Sequence, residues 1–182
     1  EILGKREDGF HEIRSILQTI DLWDVVSFGI SDSINIACDI PELNDQTNIA
    51  YKTVARVKQL CQSELGINIR INKEIPIAGG LGGGSSDAAV SLRAVNKLWE
   101  LGLSQSQLEL VAGEIGTDVP FFLYGGTCVV SGKGEQVTQL PGINAQYIFL
   151  VSPEHKLSRK TPLLYENINE KHFSSGNSVT EM

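Results

Sequence analysis

Five glycines lie within six consecutive positions, at residues 79, 80, 82, 83 and 84, and two serines follow them directly. Glycine lets the backbone adopt positive φ angles and removes the Cβ atoms that would keep a ligand at a distance. An amphipathic helix is predicted to begin near Ser85, so its free N–H groups and its positive dipole end would face the loop. The pattern predicts an anion site suited to phosphate, with the hydroxyls of Ser85 and Ser86 available to a phosphate or to Mg²⁺. The alternative is a flexible glycine-rich linker, which the immediate start of a helix disfavours.

Two commoner phosphate loops do not fit this run of residues. A Walker A loop has a lysine after its last glycine, whereas Ser85 follows Gly84 here. The dinucleotide fingerprint GxGxxG also fails, because its sixth position is Ser85 when counted from Gly80 and Asp87 when counted from Gly82. The loop therefore belongs to a different class of phosphate site.

A second candidate for chemistry is Asp118, which lies between the end of a predicted helix and an apolar segment. Desolvation against an apolar wall would raise the pKa of this carboxyl group and favour a role as a base. Taken alone, an aspartate before Val-Pro is more typical of a solvated turn. His11 lies in a polar loop, and taken alone it is more typical of a surface or capping residue.

The strands that must position these residues follow from apolar runs with a period of two. Strands are predicted at residues 25–30, 33–38, 67–71, 121–124, 127–131 and 145–151. The first two are predicted to form a hairpin through Ser31 and Asp32. Hairpin signals mixed with helices favour an α+β fold over a purely parallel sheet.

Three helices follow from apolar residues with a period of 3.6. The first begins at Asn48, carries an apolar stripe as far as Leu65 and is predicted to end with Gly66 as its C-terminal cap. The second runs from about Ser85 to Trp99, and the third is capped by Ser104 and closed by Gly116. After Pro153 the chain becomes more polar, which predicts a domain boundary near residues 150–156.

Composition and charge exclude several classes of protein. The chain has 182 residues and a formal net charge of −7, which argues against broad binding of nucleic acid or of anionic membranes. No apolar stretch approaches the ~18 residues of a membrane span, and no signal peptide is visible. Cys38, Cys61 and Cys128 form no CxxC pair and lie in apolar runs, so buried free thiols in a reducing, cytoplasmic compartment are expected.

Three segments, in order along the chain, resemble motifs of the GHMP small-molecule kinases. They read KREDGFHEIRS at residues 5–15, IPIAGGLGGGSSDAA at residues 75–89 and GTDVPFF at residues 116–122. The resemblance covers about residues 5–165. It implies an α+β fold of the ribosomal protein S5 domain 2-like type over residues 1–152, followed by the start of a ferredoxin-like C-terminal domain at residues 153–182. It also suggests a chain cut at both ends, because the family's first strand and much of its second domain have no counterpart here.

The resemblance further implies an ATP-dependent kinase with Mg²⁺ as cofactor. Its substrate would be a small cytidine diphosphate-linked sugar alcohol of isoprenoid precursor biosynthesis, with no nucleic acid and no membrane as partner. Asp118 would be catalytic, and Ser85 would hold the metal. The residues implied for nucleotide binding are Asn48, Lys73, Pro76, Ile77, Ala78, Gly79, Gly80, Leu81, Gly82, Gly83, Gly84, Ser85 and Ser86.

Four residues are implied for the cytidine end of the substrate. In the family, an aromatic–histidine pair recognises the cytosine ring, and these positions are Phe10, in place of the more usual Tyr, and His11. Thr161 and Tyr165 lie in a stretch similar to one that supplies a second ring over the base. As isolated residues, Lys73 and Asn48 are ordinary surface groups, and Tyr165 is as typical of packing as of binding.

The remaining alternatives for the function of the chain are a GHMP kinase of the homoserine or mevalonate type, an RNA-binding module, and a fragment that binds nucleotide without catalysis.

Overall fold

The computed structural model describes residues 1–151 and 160–180 and divides the chain into two compact units. Unit 1 comprises Glu1–Thr19 and Tyr124–Met182, and unit 2 comprises Ile20–Leu123. Both helices and sheets are present, which confirms the predicted α+β class. The predicted domain boundary near residues 150–156 falls mainly on residues 152–159, which lie outside the described residues. The division at residue 152 therefore stays a prediction.

Unit 1 contains a four-stranded antiparallel sheet with the order β1-β2-β6-β7. Its strands are β1 (Ile2–Lys5), β2 (His11–Gln18), β6 (Thr127–Gly132) and β7 (Gln136–Gln139). A tight turn joins the first two strands, with the Arg6 N–H donating to the Phe10 carbonyl at 2.8 Å. That turn places His11 at the first position of β2 and Phe10 directly before it. Two short helices follow later in the chain, α5 (Lys160–Glu166) and α6 (Asn177–Thr180).

Unit 2 packs helices on one face of a three-stranded sheet. Its strands are β3 (Val25–Ser31), β4 (Ile34–Cys38) and β5 (Gly66–Asn72), and its helices are α1 (Ile49–Cys61), α2 (Gly83–Leu98), α3 (Gln105–Ile115) and α4 (Val119–Tyr124). Ile67, Ile69 and Ile71 of β5 are buried while the residues between them are exposed, so one face of the sheet carries the core. The helices contribute mainly Val54, Val57, Leu92 and Val95 to that core.

The hairpin predicted at Ser31 and Asp32 is wrong, although both strands exist. The sheet order is β3-β5-β4, with β3 antiparallel and β4 parallel to β5. The fully buried isoleucines of β5 take the centre of the sheet, and the link between β3 and β4 crosses the start of β5. A Cβ at Gly66 would lie 2.2 Å from the backbone nitrogen of Ser33, so only glycine allows that crossing.

Gly66 is therefore not the cap of α1. The helix ends at Cys61, and Gln62 takes the left-handed conformation at φ 48°. Its N-terminus is as predicted, because the Asn48 side chain accepts a hydrogen bond from the Ala50 N–H at 2.9 Å. Early termination also leaves Cys61 exposed, which corrects the expectation of three buried thiols. Cys128 is buried and Cys38 is half-buried.

Two predicted strands are not strands in the structure. Residues 121–124 belong to α4, whose second residue is Pro120, and proline is well suited to a first helical turn. Residues 145–151 form neither strand nor helix, and the side chains of Tyr147, Phe149 and Val151 are almost fully exposed. Alternating apolar residues specify a strand only where a sheet edge is available to pair with them.

Candidate functional site

The glycine-rich loop of unit 2 borders a cavity of about 410 Å³, a volume typical of small-molecule sites. All but one of the residues predicted to bind nucleotide line it: Asn48, Lys73, Pro76, Ile77, Ala78, Gly79, Gly80, Leu81, Gly82, Gly83, Gly84 and Ser85. Ser86 is not among the lining residues, and its hydroxyl donates to the Gly83 carbonyl at 2.7 Å. Leu43, Thr47 and Ile49 also line the cavity, and no pattern in the sequence pointed to them.

The loop delivers the N-terminus of α2 directly to this cavity. The helix begins at Gly83, two residues earlier than predicted, so the lining residues Gly83, Gly84 and Ser85 lie in its first turn. The Ser86 N–H donates to the Gly82 carbonyl at 2.8 Å, so the amides of the three residues before Ser86 have no carbonyl acceptor within the helix. Unbonded amides and the positive dipole end at one wall of a cavity suit an anionic group.

Packing beneath the loop gives a second reason for the glycine at position 82, which the sequence suggested was there to let a ligand approach the backbone closely. Gly82 has φ 71°, and a Cβ on it would lie 2.6 Å from the ring of Phe122. Glycine is therefore required at this position for both backbone conformation and close packing. Ala78 has φ 57°, which is a strained conformation for a residue with a Cβ and marks the loop as held by its surroundings.

Lys73 is buried between two carboxylates at the edge of the cavity. Its Nζ bonds to Oδ2 of Asp24 and, at 2.8 Å, to Oδ2 of Asp87, the fifth residue of α2. Burial raises the pKa of Asp87 to about 6, although the Lys73 ammonium opposes that rise. Burial alone would lower the pKa of Lys73, but the hydrogen bonds to both carboxylates raise it. Lys73 is thus a charged, internally paired residue and not the surface group that its sequence context suggested.

Asp118 lies directly before α4, between Gly116 at the end of α3 and the buried Val119. The residue is open to solvent on one side, yet partial burial raises the pKa of its carboxyl group, in the predicted direction. Asp118 is not among the residues that line the cavity described above. A raised pKa makes its carboxylate a stronger proton acceptor than an ordinary aspartate.

Unit 1 brings together two of the four residues predicted for a cytosine ring, His11 and Tyr165, and Phe10 directly precedes His11 in the chain. Phe10 is about half exposed, and the Lys133 Nζ lies 4.8 Å from its ring centroid. His11 is 8% exposed, and its ring centroid lies 5.0 Å from that of Tyr165. Its Nε2 atom is buried and has no hydrogen-bond partner among residues 1–151 and 160–180. Buried polar atoms are normally bonded, so this nitrogen keeps an unused capacity for a hydrogen bond.

Two further aspects of this region differ from the sequence reasoning or extend it. Phe173, which the polar context of the tail did not single out, lies edge-on to His11 at 6.4 Å between ring centroids. Thr161 is exposed in the first turn of α5, and no ring contact or hydrogen bond ties it to His11.

Within the described ranges, no cluster of three or more His, Cys, Asp or Glu side chains is arranged to hold a metal ion. The helices in those ranges are also too short or too polar to cross a membrane.

Comparison with known proteins gives matches to one family. Residues 48–126 match the family model for the GHMP kinases N terminal domain. A curated protein of Dehalococcoides mccartyi, named 4-diphosphocytidyl-2-C-methyl-D-erythritol kinase, is 41% identical over 97% of this chain. The chain spans 62% of the length of that relative.

Solved structures agree with the family match. A crystal structure of 4-(cytidine 5'-diphospho)-2C-methyl-D-erythritol kinase is similar with a TM-score of 0.70 and 28% identity, over 95% of this chain and 61% of that chain. The homoserine kinase from Cytophaga hutchinsonii is similar with a TM-score of 0.61 and 20% identity, over 94% of this chain and 57% of that one. The similarity to the homoserine kinase shows a shared fold alone, because the sequence identity is only 20%.

Proposed function

Since this chain belongs to the GHMP kinases, we propose that it forms the nucleotide-binding part of an ATP-dependent phosphotransferase with an alcohol acceptor. The proposed reaction transfers the γ-phosphoryl group of ATP to the 2-hydroxyl of 4-diphosphocytidyl-2-C-methyl-D-erythritol, in isoprenoid precursor biosynthesis. The observation that carries the proposal is the cavity of unit 2, which is walled by the glycine-rich loop and by the first turn of α2.

The cavity would hold the phosphates of ATP. The amides of Gly83, Gly84 and Ser85 would donate to phosphate oxygens, and the α2 dipole would stabilise their charge. Ser85 offers a hydroxyl ligand to Mg²⁺, an ion that completes its coordination with phosphate oxygens and water, so a single protein ligand fits it. When bound, Mg²⁺ neutralises charge on the transferring group.

Asp118 would accept the proton of the substrate hydroxyl. Its raised pKa makes the carboxylate a stronger proton acceptor than an ordinary aspartate, as a base requires. Because phosphoryl transfer relies mainly on positioning and charge stabilisation, the base accounts for only part of the rate. We expect Asp118→Asn to lower kcat by a factor of about 10²–10⁴ while the affinity for ADP stays within about twofold.

A steady-state kinetic assay tests this expectation for Asp118. Asp32→Asn, which removes an exposed carboxylate in the turn after β3, is the matched control and should retain wild-type kcat. An Asp118→Asn variant with unchanged kcat would exclude the base role. A variant that loses ADP affinity as strongly as kcat would indicate a binding role in place of a catalytic one.

The cytidine end of the substrate would bind at Phe10, His11 and Tyr165 of unit 1. Stacking on an aromatic ring is sequence-tolerant and contributes about 1–3 kcal/mol per base. The Nε2 of His11, which is unpaired among the residues that the structure describes, would supply the hydrogen bond that distinguishes cytosine from other rings. Phe10 retains stacking without the hydroxyl group of a tyrosine.

Two measurements on the 182-residue chain test the proposal. Calorimetric titration should detect ADP and, separately, CMP, and His11→Phe should abolish only the CMP signal. His172→Phe is the matched control, because His172 is an exposed histidine of unit 1 whose Nδ1 accepts from the Asn169 backbone. In a turnover assay, measurable ATP consumption that is equal with and without the cytidylyl substrate would refute the assignment and favour a homoserine-type kinase.

A further inference from the structure

Asp24 is a buried carboxylate that the mechanism above does not use. It lies directly before β3, and its side chain is 1% exposed. Its Oδ1 accepts hydrogen bonds from the backbone N–H groups of Glu74 at 2.7 Å and Ile75 at 2.9 Å. These two residues immediately precede Pro76, the first residue of the glycine-rich run, so Asp24 holds the backbone at the entrance to the loop.

The second oxygen of Asp24 reaches the other end of the loop through Lys73. Oδ2 bonds to the Lys73 Nζ, and the same Nζ bonds to Asp87, which directly follows the first turn of α2. A single ammonium thus connects the residue before β3, the exit of β5 and the start of α2. One carboxylate is enough to neutralise the Lys73 ammonium, so the second leaves a net charge of −1 on this buried group of three side chains. An uncompensated buried charge lowers the stability of the folded state.

The connected groups form the floor of the cavity. Lys73, Ile75 and Asp87 line it, whereas Asp24 lies behind them and is not a lining residue. A Cβ at Gly83 would lie 2.9 Å from the Ile75 Cγ2 and 3.3 Å from the Lys73 Nζ, so α2 begins in close contact with both. A shift of either residue would therefore displace the amides proposed to bind phosphate.

We infer that Asp24 is a positioning residue for the nucleotide, fixing Lys73 and the loop entrance so that the first turn of α2 meets the phosphates. The inference rests on the proposed nucleotide-binding function. Asp24 does not touch the nucleotide and acts only through the residues that it holds. It should therefore affect nucleotide affinity more than it affects folding.

The test compares ADP binding by the wild-type chain, Asp24→Asn and Asp39→Asn in calorimetric titrations. Asn at position 24 keeps the shape and an acceptor for the two backbone N–H groups, but it presents a donor to the Lys73 ammonium, which must move. We expect the Kd for ADP to rise by about tenfold or more. Asp39→Asn is the matched control: the exposed Asp39 carboxylate accepts from the Lys73 backbone nitrogen at 3.0 and 3.2 Å, the asparagine oxygen still accepts from it, and the Kd should stay within about twofold.

A double-mutant cycle tests whether Asp24 acts through Lys73. The combined effect of Asp24→Asn and Lys73→Met on the Kd should be clearly less than the sum of the two single effects in free energy. Additive effects, or an Asp24→Asn variant that binds ADP like the wild type, would overturn the inference. A wild-type chain that does not bind ADP would overturn the proposed function together with it.

Hydrogen exchange of the wild-type chain provides a test that needs no variant and covers the case in which Asp24→Asn fails to fold. ADP should slow exchange of the amides of Glu74 and Ile75 as well as those of residues 79–86, because the two segments are held together. Protection of the loop with unchanged exchange at Glu74 and Ile75 would overturn the inference.

Discussion

Gly82 offers a quantitative test of how the glycine-rich loop is held, through the substitution Gly82→Ala. The residue is the N-terminal cap of α2, with φ 71° and ψ 15°, a left-handed conformation that costs an alanine about 1–2 kcal/mol. The new Cβ would also lie 2.6 Å and 2.7 Å from two ring carbons of Phe122. That ring packs edge-on against Phe121 with centroids 4.9 Å apart, so a shift of the ring would disturb this contact.

The two costs can be separated with a control glycine. Overpacking of this kind typically costs about 1–3 kcal/mol, so Gly82→Ala should reduce the free energy of unfolding by about 2–5 kcal/mol in total. Gly102 has a similar φ of 64°, but no atom lies within 4 Å of the position that a Cβ would take there. Gly102→Ala should therefore carry only the backbone cost, and the difference between the two variants, about 1–3 kcal/mol, measures the contact with Phe122.

Urea unfolding followed by tryptophan fluorescence is the appropriate assay. Both tryptophans, Trp23 and Trp99, lie in unit 2, and Trp99 is 6% exposed, so its emission reports on that unit. Linear extrapolation then gives the free energy of unfolding for each variant. Equal losses in Gly82→Ala and Gly102→Ala would refute the argument that Phe122 packs closely enough against the loop to exclude a side chain.

The remaining predictions concern unit 2 and use the same unfolding assay. Gly66→Ala should cost about 3 kcal/mol or more, because its Cβ would meet the Ser33 backbone at 2.2 Å, whereas Gly29→Ala, with no atom within 4 Å, should change stability by no more than about 0.5 kcal/mol. Comparable effects of the two would contradict the crossing described for β5. Asp87 has a folded-state pKa of about 6 against an ordinary value of 3.8, so the folded state binds its proton more tightly. Its stabilising contribution is therefore complete below pH 3.8 and is lost as the pH rises through about 6, a change of up to ~3 kcal/mol that Asp87→Asn should remove. A wild type and an Asp87→Asn variant with parallel pH profiles would contradict this sign.

The local parts of the candidate site could be predicted from the sequence, because short-range chemistry determines them. A glycine run directly before a helix predicts the loop that lines the cavity, and Asn48 predicts the helix start at α1, without reference to the rest of the fold. The partners of Lys73 could not be predicted, because Asp24 lies 49 residues away and gives no local signal. The His11 Nε2 atom, which has no hydrogen-bond partner within the described part of the chain, is likewise a result of tertiary packing.

The errors in the fold have the same origin. Residues 121–124 and 145–151 are apolar enough for strands, but pairing partners decide whether a strand forms, and Pro120 favours a helix in the first case. The polar residue Gln62, not Gly66, ends α1, and Gly66 is required instead by the crossing chain at Ser33. A glycine can therefore end a helix or make room for a crossing chain, and only the position of the neighbouring backbone shows which role applies.

The position of β5 between β3 and β4 also determines the order in which this part of the chain can fold. β3 and β4 are joined by only two residues, 32 and 33, yet neither can pair until β5 arrives after α1. Closing the long loop from β4 through α1 to β5 costs conformational entropy before any contact between strands compensates for that cost. We therefore infer slower folding than for a local hairpin. A ribosome would release β3 and β4 as unpaired strands well before their shared neighbour emerges.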